Sequence, residues 1–97
     1  MKTSELTGAA LNWAVNHAEG LTGILAPVNY CGKWEFGGPI IEREVIDLVS
    51  PLGCPTTSWV ASRGRIYANG PTPLIAAMRC YVASKLGDDI NIPEELL

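Results

Sequence analysis

Charge is scarce in this 97-residue chain: Asp, Glu, Lys and Arg together make up 18%, against an ordinary share of about 25%. There is a single histidine, His17, and a single phenylalanine, Phe36. The seven Lys and Arg residues are scattered over a chain of net charge −3 and pI near 4.9. With no basic stripe to neutralise a phosphate backbone, duplex DNA or RNA is not an expected partner. No apolar run approaches the roughly eighteen residues of a membrane span, because Asn12, Asn16, Arg43 and Arg79 interrupt them. A membrane is therefore not expected either, and the absence of a signal-peptide pattern points to the cytoplasm. Cys31, Cys54 and Cys80 are odd in number and widely spaced, so reduced thiols rather than a disulfide framework are expected. Repeats, a Walker A loop and a G-x-G-x-x-G turn are all missing.

What is present fits one small domain over residues 1–97. Glu5 to Gly20 reads as a helix, with Leu11, Ala14, Val15 and Ala18 on one face. Thr7 would cap it, Leu6 and Leu11 would form a hydrophobic staple, and Gly20 would stop it. Trp13 and His17, four residues apart, would be surface neighbours, with Asn12 and Asn16 on the flanks. Leu21 to Val28 reads as a strand of about five residues. Asn29 to Gly38 is expected as an aromatic-rich loop, and Pro39 to Val49 as a second helix begun by Pro39; its β-branched residues make a strand the competing reading. Ser58 to Ser62 and Arg65 to Asn69 have the pattern of a hairpin with a tight turn. Thr72 as N-cap, Pro73 at the first position, the stripe Ile75, Met78, Val82 and Leu86, and Gly87 delimit a third helix. Residues 88–97 form an acidic tail with a short edge strand around Ile90 and Ile92. The expected class is α+β: a small sheet of three or four short strands packed with three helices, in the order α-β-α-β-β-α.

Catalytic equipment is thin. One mid-helix histidine must find its own nucleophile and orienting group, and Ser58, Ser62 or Cys80 are the available partners. Three cysteines and one histidine lack the close pairing of a zinc site. Glu42, Glu44 and Asp47 read as a solvated helix face. No catalytic residue, metal or cofactor is assigned, and an enzyme is not expected. Binding has better support. Aromatic rings could stack on a planar ligand while arginines face its anionic group. The residues assigned to such a site are Trp34 and Trp59 for stacking, with Arg65, Asn69, Thr72 and Arg79 for polar contacts. Against this, Trp13, Trp34 and Trp59 could be spent on packing, the commoner fate of a large aromatic and the favoured one for Trp59 inside a strand, and Arg79, among small neighbours, could be exposed or directed into a pocket.

Four stretches carry a family resemblance: Glu5–Val15 (ELTGAALNWAV), Gly37–Glu44 (GGPIIERE), Gly70–Gly87 (GPTPLIAAMRCYVASKLG) and Ile92–Leu97 (IPEELL). The chain resembles the NinX-like proteins of tailed phages that infect enteric bacteria. More distantly, its element order is similar to a small phage domain described as an α/β/α sandwich. The resemblance implies a phage accessory protein acting in the host bacterial cytoplasm, dispensable for particle assembly, and it implies no activity.

The leading expectation is a non-enzymatic binding module for a small anionic, nucleotide-like ligand, acting as a sponge for a host defence signal such as a cyclic dinucleotide or an ADP-ribose derivative. The alternative is an inhibitor that covers a host protein with an apolar surface; a nucleotide hydrolase using His17 is a weaker third. A mean hydropathy of +0.16 in so small a chain leads us to expect a homo-oligomer.

Overall fold

A computed structural model of the protein describes residues 1–20, 28–53 and 58–96. Three helices and one three-stranded sheet make up the described architecture: α1 (Gly8–Ala18), α2 (Trp34–Glu44), β1 (Asp47–Val49), β2 (Trp59–Arg63), β3 (Ile66–Gly70) and α3 (Pro73–Leu86). Single 3₁₀ turns lie at Thr3–Glu5, Pro51–Gly53 and Glu94–Leu96. The class is α+β with a small sheet and three helices, and the order among the described residues is α-α-β-β-β-α. The strand expected over Leu21 to Val28 falls, but for its last residue, outside the described residues.

The sheet is an antiparallel meander in the order β1-β2-β3, with Leu48 opposite Ala61 and Ala61 opposite Ala68. Those three residues share one face, and Ala61 on it is fully buried. The opposite face presents Asp47, Val49, Tyr67 and Asn69, all exposed. A two-residue turn joins β2 to β3, and Gly64 takes the left-handed conformation it needs (φ +62).

The middle layer is α3. It packs on β2 and β3, on α1 and α2, and on the 3₁₀ turn Thr3–Glu5. A helix covered on both sides must be apolar nearly all round. Accordingly Leu74, Ala76, Ala77, Met78, Cys80, Tyr81 and Val82 are all buried, well beyond the stripe that periodicity alone marks out. Its ends are as the sequence reads: the Thr72 hydroxyl accepts from the Ile75 N–H at 3.1 Å, Pro73 follows, and Gly87 ends it. Gly70 closes β3 so tightly against α3 that a Cβ there would lie 2.6 Å from the Ala76 nitrogen.

The second helix differs most from expectation. It starts at Trp34 within the expected loop, runs through Gly37, Gly38 and Pro39, and stops at Glu44. Gly37 is present for lack of room, not as a breaker: a Cβ would meet the Tyr30 carbonyl at 2.5 Å and Leu74 Cδ1 at 2.6 Å. Pro39, expected to begin the helix, is its sixth residue. The helix ends in a Schellman-type turn, with the Ile46 N–H donating to the Ile41 carbonyl at 3.0 Å and Val45 in the left-handed region (φ 53). That reversal frees Asp47–Val49 to pair as β1, so strand was the correct reading for the end of the segment.

Smaller corrections follow the same logic. Thr7 stands at the N-cap of α1 but its side chain makes no capping bond. Asn12 and Asn16 are buried rather than on a flank: the Asn12 side-chain oxygen accepts from the Cys31 N–H (3.0 Å), and Asn16 accepts from the Tyr30 hydroxyl (3.0 Å). They pin the segment before α2 onto α1. In the tail, the edge strand reduces to a single bridge between Lys2 and Asp89.

Candidate functional site

Arg79 lies on the part of α3 that passes the free edge of β3. Its Nε donates to the Leu6 carbonyl and its Nη1 to the Asn69 carbonyl, both at 2.8 Å. The two bonds fix the guanidinium plane and leave three of its five N–H donors without a partner among the described residues. Among the described residues no carboxylate pairs with it. Burial lowers its pKa from the ordinary value, against an opposing pull from Cys31. An arginine does not give up its proton under such pressure, so a half-buried positive charge stands at this place.

The guanidinium borders a cleft of about 300 Å³. Tyr67 and Ala68 of β3 and Ala83 of α3 form one side, while Lys2, Thr3 and Ser4 and the acids Asp88 and Asp89 form the other. The Tyr67 ring is 69% exposed. Short backbone and hydroxyl bonds hold the second wall: Thr3 N–H to the Asp88 carbonyl (2.8 Å) and Thr3 Oγ1 to the Gly87 carbonyl (2.7 Å). The Asp89 carboxylate accepts from the Met1 ammonium at 3.1 Å, whereas the Asp88 carboxylate has no partner among the described residues. The cleft thus carries Arg79 on its α3 side and, on its tail side, the cation Lys2 beside the exposed acid Asp88.

A family comparison bears on this arrangement. The family model described as Bacteriophage P22, NinX matches residues 26–85, more than half of the chain. The chain belongs to the NinX family. No curated protein matches it. The part shared with the NinX model contains Tyr67, Ala68, Arg79 and Ala83, so it supplies the cation and the ring. Lys2, Thr3, Ser4, Asp88 and Asp89 come from the flanks.

The residues expected to bind are not all gathered here. Arg79 and Asn69 are joined directly, through the Asn69 main chain. Thr72 is committed to capping α3. Arg65 is exposed in the β2–β3 turn. Trp34 begins α2 and is 53% exposed, and Trp59 on β2 is half-buried against the core; neither lines the cleft. The sequence reading missed Tyr67, Lys2, Ser4 and Asp88. Tyr67 could have been found as the large ring on the outward phase of an alternating strand, but the flanking residues reach the cleft only through the tertiary fold. His17 is exposed on α1, stacked on Trp13 with ring centroids 5.1 Å apart, and does not line the cleft. Among the described residues, no group of three His, Cys, Asp or Glu side chains could hold a metal ion, and no helix is long and apolar enough to cross a membrane.

A second polar cluster holds the helices together. Glu44, read from sequence as part of a solvated face, receives Arg43 Nε (2.9 Å), Arg63 Nη2 (3.1 Å) and Lys85 Nζ (3.5 Å). Arg43 also pairs with Glu19, which accepts from the Tyr81 hydroxyl at 2.7 Å. Arg43 holds the carboxyls of both Glu19 and Glu44 below the ordinary range, against the opposing effect of burial. Burial and the Glu19 carboxylate push Tyr81 up to about 12. Three cations meet two carboxylates here, and the buried Arg63 Nε has no hydrogen-bond partner among the described residues; the ion pairs tie the end of α1 to α2, β2 and α3.

Proposed function

We propose that this NinX-family phage protein is a non-enzymatic binding module that takes a small anionic, nucleotide-like molecule into the Arg79 cleft and withdraws it from the host's free pool. One observation carries the reading: a half-buried guanidinium, oriented by two carbonyls and without a carboxylate partner among the described residues, borders an open cleft beside an exposed tyrosine. A fixed guanidinium suits phosphate, and a ring wall suits a base. A volume of about 300 Å³ is at the small end of ligand pockets. It has the scale of a mononucleotide, and a cyclic dinucleotide would overhang it. Titration calorimetry with nucleoside monophosphates and cyclic dinucleotides tests this. Saturable heat that Arg79→Met abolishes and Tyr67→Ala weakens is the expected result. A flat response across the panel overturns the reading.

A second reading, inhibition of a host protein, draws on Trp34 and Phe36, two large rings exposed at the start of α2. It predicts a stoichiometric host partner in a pull-down, lost in the Trp34→Ala, Phe36→Ala double variant and indifferent to nucleotides.

A further inference from the structure

Resting on the binding reading above, we propose that the cleft selects guanine nucleotides through the Asp88 carboxylate. The tail-side wall mixes charge, with the cation Lys2 beside the exposed acid Asp88, and an acid near an anion's site is favourable where the far end of the ligand brings hydrogen-bond donors. Asp89 is already engaged by the Met1 ammonium; Asp88 is not engaged by any described side chain, and it lines the same cleft as Arg79 and Tyr67. A ligand that satisfies all three has phosphate for the guanidinium, a flat ring for the tyrosine and donors for the carboxylate.

Base chemistry then discriminates. Guanine offers two adjacent parallel donors, N1–H and the N2 amine, which match the two oxygens of one carboxylate. Adenine presents its N6 amine beside the N1 lone pair, and cytosine its N4 amine beside the N3 lone pair, so each sets an acceptor against the acid. Uracil and hypoxanthine each bring a single ring N–H on that edge.

The experiment is competition calorimetry of the whole protein with GMP, IMP, AMP and CMP at fixed ionic strength, repeated with Asp88→Asn and with the remote control Lys33→Ala. GMP is expected to bind about tenfold or more tighter than IMP, which lacks only the N2 amine, and tighter again than AMP or CMP. Asp88→Asn is expected to bring the GMP to IMP ratio close to one, and Lys33→Ala to leave it unchanged. If all four bind alike, and binding depends on Arg79, guanine selection is overturned while the anion-binding reading stands. If none binds, both fall. A GMP preference that survives Asp88→Asn overturns the assignment to Asp88. Thermal melts of each variant without nucleotide separate folding defects from lost recognition.

Discussion

Arg79 Nη1 donates to the Asn69 carbonyl at 2.8 Å, and this bond fastens the free edge of β3 to the helix that covers the sheet. An open strand edge exposes main-chain groups to unwanted pairing. The guanidinium occupies one of those acceptors while its Nε reaches back to Leu6, ahead of α1. One side chain therefore clamps three parts of the fold and also supplies the charge in the cleft.

Replacing Arg79 should accordingly do two separable things. Hydrogen bonds to charged groups contribute about 1.5–3 kcal/mol, and Arg79→Met is expected to lose an amount in that range in urea unfolding measured without nucleotide. Tyr67→Ala, at an exposed position, is expected to stay within about 0.5 kcal/mol of the parent while weakening binding.

The glycine pair in α2 gives a test of unequal sensitivity. Beyond its chain neighbours, Gly38→Ala meets only Trp34 Cε3 at 3.6 Å; the helix-propensity gain of up to about 1 kcal/mol is offset by the crowding of a Cβ against the Pro39 ring that follows it in the helix, and the net change is expected to lie within about 0.5 kcal/mol. Gly37→Ala forces a Cβ against the Tyr30 carbonyl and Leu74 and is expected to destabilise by about 1 kcal/mol or more, because overpacking outweighs propensity. Thermal melts of the two single variants decide the matter; a loss in Gly37→Ala no larger than that in Gly38→Ala would contradict the close approach of α2 to α3.

Val45 holds a left-handed conformation (φ 53) with 76% of its surface exposed. A β-branched residue pays about 1–2 kcal/mol there, partly offset on substitution by the greater freedom of glycine when unfolded. Val45→Gly is expected to gain roughly 0.5–1 kcal/mol net, seen as a melting temperature a few degrees higher.

Acid should release the helix clamp. Glu19 and Glu44 have folded-state values below the ordinary carboxylate 4.5, chiefly through Arg43. Their contribution to stability is therefore complete above that value and is lost as pH falls through the lower folded values. Tyr81 works in the other direction: its value rises from 10.0 to about 12, so its contribution holds below pH 10 and fades as pH climbs toward 12. Urea midpoints measured from pH 7 to pH 2 should fall most steeply below 4.5, and Glu44→Gln should flatten that fall. An unchanged slope in Glu44→Gln would show that the clamp does not bear on stability.

Local chemistry determined what the sequence could announce. The third helix and the hairpin were legible because their signals are short-range: a hydroxyl cap at Thr72, a fixed φ at Pro73, a terminal Gly87, alternation around Gly64. The NinX likeness was legible for the same reason, in contiguous stretches. The tertiary structure alone decided where α2 begins, since Gly37-Gly38-Pro39 reads as a break unless Leu74 and Tyr30 are already pressed against it. It also turned Glu44 from a surface acid into a junction for three cations. The cleft belongs to the same class: Arg79, Tyr67 and Asp88 lie far apart or on different elements, and charges and rings act through distances in space that chain order does not encode.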